Sequence, residues 1–97
     1  MGKDWRYIMV SEKVIIKNKL GFHARPAAIL TQVAIQYNSK IDIVLEDKRI
    51  TAKSILGIMS ANIRFGDEIE IECNGDDEDV ALKAVIESIN KGLGEEI

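Results

Sequence analysis

Glu68-Ile69-Glu70-Ile71-Glu72-Cys73 alternates an acid with an apolar side chain over its whole length, the period-two pattern of a strand with one wet and one dry face. Ile69, Ile71 and Cys73 share the face expected to meet the core, and the three glutamates share the face expected to meet water. A strand written this way belongs in an antiparallel sheet covered on one side only, because a sheet covered on both sides would have no place for the acids. The glutamates alone are a poor metal set, with no histidine and no second supplier beside them, so no metal site is expected. Upstream, Arg64-Phe65-Gly66-Asp67 reads as a turn. Downstream, Asn74-Gly75-Asp76-Asp77 breaks the strand and opens a helix, with Asp76 and Asp79 approximating a capping box and the acids favoured at a helix N-terminus. Leu82, Val85, Ile86, Ile89 and Leu93 give that helix an apolar stripe, and Gly92 and Gly94 end it.

The other elements supply what such a sheet needs. Glu12 to Asn18 reads as a strand built on the β-branched Val14, Ile15 and Ile16. Lys19 to Phe22 is a loop, and from Pro26 the apolar spacing turns helical: Ala27, Leu30, Ala34 and Tyr37 in one stripe, Val33 beside it, with Asn38-Ser39 as the end. Ile41 to Leu45 is a strand, Glu46-Asp47-Lys48 a charged turn, and Arg49 to Ala52 the returning strand of a hairpin. Ser54 is a good N-cap for a short helix running to about Ser60. The order is strand, helix, strand, strand, short helix, strand, helix. It predicts an α+β fold, an open-faced β-sandwich in which a four-stranded antiparallel sheet carries three helices on one face.

Ninety-seven residues allow one domain, and the 46% hydrophobic and 30% charged fractions are ordinary for a water-soluble one. A net charge of −3 gives no drive toward nucleic acid or an anionic membrane. One tryptophan, two tyrosines and two phenylalanines offer little for base stacking. No apolar run is long enough to insert in a bilayer, and no signal-peptide pattern opens the chain. Cys73 is the single cysteine, which excludes an internal disulfide and fits a reducing cytoplasm. Residues 1–8, with the only tryptophan, read as an N-terminal extension to a domain spanning 9–97, and Met9 is an alternative start.

Chemistry concentrates in Gly21-Phe22-His23-Ala24-Arg25-Pro26-Ala27-Ala28, which holds the only histidine and the only proline. Proline suits the first helical position and disfavours αR in the residue before it, so the helix is expected to open at Pro26. His23 then stands just outside a helix N-terminus, where unpaired N–H groups and the dipole favour an anion. Arg25 adds a fixed cation, and Gly21 lets the chain turn before the histidine. An imidazole nucleophile beside an anion site suits a covalent phosphoryl group; a lone histidine decorating a helix start is the alternative. No triad, metal set or nucleotide loop marks a free-standing enzyme.

Gly21 to Ala28 resembles the active-site signature of the HPr family, the histidine phosphocarriers of the phosphoenolpyruvate-dependent sugar phosphotransferase system. Lys53-Ser54-Ile55-Leu56-Gly57-Ile58-Met59-Ser60 resembles that family's second signature, around a regulatory serine, at the expected separation. The resemblance runs from about Met9 to about Gly94 and implies the same open-faced sandwich. It implies that His23 takes a phosphoryl group on Nδ1 from enzyme I and passes it to IIA domains of sugar permeases, that Arg25 stabilises the phosphate, and that no cofactor is needed. It implies that Ser54 is a regulatory site for a serine kinase/phosphorylase, with a catabolite-control transcription regulator as a further partner. Ile55, Leu56 and Met59 cannot all face inward on so short a helix, and those left outside form an apolar contact patch. A monomer in the cytoplasm is expected of such a shuttle. Leu20 stands where many relatives carry a small polar residue, and Phe22 is bulkier than the commoner aliphatic. Two rivals remain: a regulatory protein working only through Ser54, although the family's regulatory paralogue lacks the histidine that is present here, and a nucleic-acid- or peptide-binding domain of similar topology.

Overall fold

In the computed structural model, which describes residues 9–97, β4 (Glu68–Asn74) lies inside the sheet, with β1 (Val10–Ile15) on one side and β2 (Lys40–Leu45) on the other. β3 (Lys48–Thr51) completes the order β1-β4-β2-β3, and every neighbouring pair is antiparallel. The register puts Ile69 opposite Val14, Ile71 opposite Ile43, and Cys73 opposite Ile41, so the dry face is a continuous apolar ladder. Three helices complete the chain: α1 (Ala24–Ala34), α2 (Ile55–Ser60) and α3 (Glu78–Asn90). α3 lies over β1 and β4, α1 lies beside α3, and α2 bridges α1 and β3. Leu30, Ile58, Val85 and Ile89 from these helices meet Ile16, Ile41, Ile43 and Ile71 in one core. Each such side chain contributes about 1.5–3 kcal/mol of burial free energy.

The open face is held by charge pairing rather than by packing. Asp42 is buried there and accepts from Arg49 at 3.2 Å, with Lys40 Nζ at 3.7 Å, while Arg49 also binds Glu72. Lys13 stands opposite Glu70 across the β1–β4 pair, another match of opposite signs. Cys73 points the other way, into the core, and burial pushes its thiol up to about 11.

Four details differ from the sequence reading. β1 starts earlier and ends at Ile15, because Ile16 bonds instead to the turn after α2: its N–H donates to the Asp67 carbonyl (2.9 Å), and its own carbonyl accepts from Gly66 N–H (2.8 Å). Pro26 is the third helical residue of α1, not the first. The first intrahelical bond runs from Ala27 N–H to the His23 carbonyl (3.0 Å), so a proline anywhere before Ala27 forfeits nothing. α1 ends at Ala34, and Gln36 and Tyr37 continue it as a tighter turn onto Val33 and Ala34. The expected pairing of Asp76 with Asp79 is replaced. Glu78 reaches back to Gly75 N–H at 3.2 Å, while the Asp77 carboxylate is taken by Ser39 and Asn38 across the fold. The expected extension at residues 1–8 lies outside the described residues. Among the described residues no helix is long and apolar enough to cross a membrane.

Candidate functional site

The loop leading to His23 is fixed by two backbone hydrogen bonds. Gly21 N–H donates to the Asn18 carbonyl (2.9 Å), and Phe22 N–H donates to the Ile63 carbonyl (3.0 Å). Gly21 itself has φ +69°, and a Cβ there would lie 2.2 Å from the Ile63 oxygen, so only glycine lets the loop pass so close. The Phe22 side chain is buried in the core.

His23 is the N-cap of α1, in extended conformation, and its side chain makes no cap bond. The N–H groups of Ala24 and Arg25, ahead of the donorless Pro26, therefore have no acceptor within α1. The ring is 38% exposed, and its Nε2 lies 2.6 Å from Glu95 Oε2. Glu95 arrives from the far end of the chain. After α3, Gly92, Leu93 and Gly94 all take positive φ (95°, 50° and 86°), which reverses the backbone toward α1. A Cβ on Gly94 would meet Ile29 Cδ1 at 2.5 Å and Arg25 Nε at 3.4 Å, so the Arg25 side chain lies along this turn.

Asn18 closes the constellation from below. It is buried, and its Nδ2 donates to Gly92 O (2.9 Å) and to Glu95 Oε1 (2.8 Å), while its Oδ1 has no partner among the described residues. An orphaned buried oxygen of this kind costs about 1–3 kcal/mol. The Asn18 amide, then the His23 ring, then the charge of Arg25 hold the Glu95 carboxyl below the usual carboxylate range. An ionised carboxylate only accepts hydrogen bonds, so Nε2 of His23 carries the proton in this contact. In the neutral ring the lone pair is then on Nδ1, which has no protein partner among the described residues.

The second predicted site shares no hydrogen bond or ion pair with this one among the described residues. Ser54 is the N-cap of α2, and its Oγ accepts from Gly57 N–H at 3.0 Å. The residues before it are tied to α1, Ala52 through Thr31 Oγ1 (3.1 Å) and Lys53 through its Nζ on the Tyr37 carbonyl (2.7 Å). Ile55, Leu56 and Met59 are all exposed, at 41%, 78% and 42%, and Ile58 alone buries α2. Leu20 is also exposed, and its aliphatic side chain has no polar atom with which to hydrogen-bond the loop. Glu95 and Asn18 escaped the sequence reading; the only signal for the former was the glycine pair that turns the chain back. Among the described residues no group of His, Cys, Asp and Glu is placed to hold a metal ion.

Comparison with known proteins places the chain in a family. A family model described as "PTS HPr component phosphorylation site" matches residues 10–91. The phosphocarrier protein HPr of Treponema pallidum is 43% identical over 77 residues, covering 79% of this chain and 88% of that one. The HPr-like protein Crh of Halalkalibacterium halodurans is 42% identical over 83 residues, covering 86% and 99%. Among solved structures, HPr from Thermoanaerobacter tengcongensis superposes with a TM-score of 0.86 at 41% identity, covering 91% of this chain and 99% of that one. An HPr dimer from the same organism superposes at 0.72 with 43% identity, covering 84% and 94%. With the family's phosphorylation-site model spanning residues 10–91 and relatives of this similarity over most of its length, the chain belongs to the HPr phosphocarrier family of the phosphotransferase system.

Proposed function

We propose that His23 is the phosphoryl acceptor, taking the group on Nδ1 from the phosphohistidine of enzyme I and giving it to sugar-specific IIA proteins in the cytoplasm. The observation that carries this is the Glu95 contact at Nε2, which leaves Nδ1 as the ring nitrogen with a lone pair and no protein partner among the described residues. In the forward step the Nδ1 lone pair attacks phosphorus, the N–P bond of the donor breaks, and the donor ring keeps that electron pair. The imidazole that gains the group becomes cationic with Nε2–H retained, and the Glu95 carboxylate holds that charge, as a buried acid does for an imidazolium in acyl transfer. Arg25 and the open amides of α1 take the phosphoryl oxygens. Transfer to a IIA protein is the same step reversed. The chain is a carrier on which other enzymes act, and its part is positioning and charge.

Ser54 is the regulatory position in this reading, phosphorylated by a serine kinase/phosphorylase, with Ile55, Leu56 and Met59 as the contact patch. A phosphate adds nearly two negative charges beside that patch. It would weaken enzyme I docking and offer a new surface to a transcription regulator; similarity to a Crh protein supports this arm. The shuttle acts as a monomer in this reading; a related HPr has been solved as a dimer, so sedimentation at working concentration decides the point. Incubation with enzyme I and phosphoenolpyruvate tests the main claim. The protein should gain one acid-labile phosphoryl group, His23→Ala should gain none, and Arg25→Ala should gain it more slowly while staying folded. Uptake by His23→Ala at the unsubstituted rate would refute it.

A further inference from the structure

Asn18 joins the two segments that build the site. Its backbone carbonyl accepts from Gly21 N–H (2.9 Å) and so closes the loop that delivers His23. Its side-chain amide binds the Gly92 carbonyl and the Glu95 carboxylate, and so secures the turn that delivers Glu95. Both side-chain partners are acceptors, so the amide cannot be turned over: Oδ1 in place of Nδ2 would face two oxygens. Securing the turn needs only the bond to Gly92. The second N–H goes to the carboxylate while Oδ1, on a residue only 1% exposed, has no partner among the described residues. A group held at that cost to itself is explained by what the carboxylate does next, and Glu95 Oε2 meets His23 Nε2.

We infer that Asn18 is a positioning residue for phosphoryl transfer: by orienting Glu95 it fixes the Nε2–H tautomer of His23 and presents the Nδ1 lone pair. This rests on the carrier reading above, but its first readout does not. Ring 15N shifts of the unphosphorylated protein, taken where His23 is neutral, report the tautomer directly. In Asn18→Ala the ratio of Nε2–H to Nδ1–H should fall about threefold or more, and kcat for transfer from enzyme I should fall about tenfold with KM changed less than about twofold. Asn18→Asp keeps the volume but aims an oxygen at Glu95, and should shift the ring in the same direction. Glu95→Gln, at a partly buried position, gives a third check: the Asn18 side-chain amide resonances and the His23 ring nitrogens should move together. Folded Asn18 variants with a lower melting temperature but an unchanged tautomer ratio and kcat would overturn the inference, as would a Glu95→Gln protein in which only one of the two groups moves. A tautomer shift without phosphoryl uptake by the unsubstituted protein would refute the carrier reading alone. Uptake with a ring indifferent to Asn18 would refute this inference alone.

Discussion

α1 and α2 each open on a polar residue in extended conformation, His23 (φ −74°, ψ −167°) and Ser54 (φ −126°, ψ 113°), yet only one of the two finishes its cap. Ser54 spends its oxygen on Gly57 N–H, and the amides behind it are partly satisfied from within. The His23 side chain gives its helix no cap bond, turns its Nε2 to Glu95, and leaves the N–H groups of Ala24 and Arg25 without an acceptor in α1. The contrast separates a stabilising cap from an unfinished one. An incomplete helix start is tolerable in a folded protein when an anion arrives to complete it. The phosphorylation proposed at Ser54 would instead have to replace a bond that already exists, so it would act through added charge more than through new local order.

The largest expected effect breaks the two caps apart. His23→Ala should abolish phosphoryl uptake yet change unfolding free energy by less than about 1 kcal/mol, since the ring makes no cap bond and is partly exposed. Should the fold collapse on losing this ring, the cap is structural after all and the contrast with Ser54 disappears. Denaturant unfolding alongside the enzyme I assay reads both quantities.

A smaller effect tests how the unfinished cap is held. Gly21→Ala must put a Cβ 2.2 Å from the Ile63 oxygen and keep φ +69°, so it should cost at least about 2 kcal/mol and slow uptake as the loop shifts. Gly66→Ala is the reference: its φ is +87°, but nothing lies within 4 Å of the added atom. It should cost about 1 kcal/mol and leave uptake alone. Equal costs at the two glycines would show that the approach to Ile63 is not what fixes the loop. Ser54→Ala should cost about 1 kcal/mol, with uptake at His23 unchanged, the mirror of His23→Ala.

These regions also differ in how far the sequence announces them. Ser54 and its cap lie within three residues of each other, and the Glu68 to Cys73 alternation fixes one face of a strand from within itself. Local patterns of that kind carry their own geometry. Glu95 meets a ring 72 residues away through three consecutive left-handed residues, and no periodicity states where such a reversal ends. The capping of α3 failed for the same reason: the Asp77 carboxylate is drawn off by Ser39, 38 residues away, and Glu78 takes over its local duty. Pro26 is a helix-start residue as its chemistry demands, but the third rather than the first. The rule that admits proline covers every position before the first intrahelical bond, and the sequence does not say which of them is used.

The smallest effect is a shift of titration and bears on the His23 cap alone, because the Ser54 cap contains no titrating group. The Glu95 carboxyl is held below the ordinary glutamate value of 4.5, first by the Asn18 amide, then by His23 and Arg25. A carboxyl with a lower pKa folded than unfolded adds stability above its unfolded value, and that contribution is lost as pH falls through the folded value. At neutral pH the Glu95 clamp is therefore fully present, and it weakens only in the acid range below 4.5. A carboxyl 13C titration of the unsubstituted protein should place the Glu95 midpoint under 4.5. His23→Ala should raise it part of the way, and Asn18→Ala should raise it further, because the amide is the larger of the two causes. If His23→Ala moves it more than Asn18→Ala does, the ring rather than the amide holds the carboxylate. The unfinished cap would then organise its own partner instead of receiving one already in place.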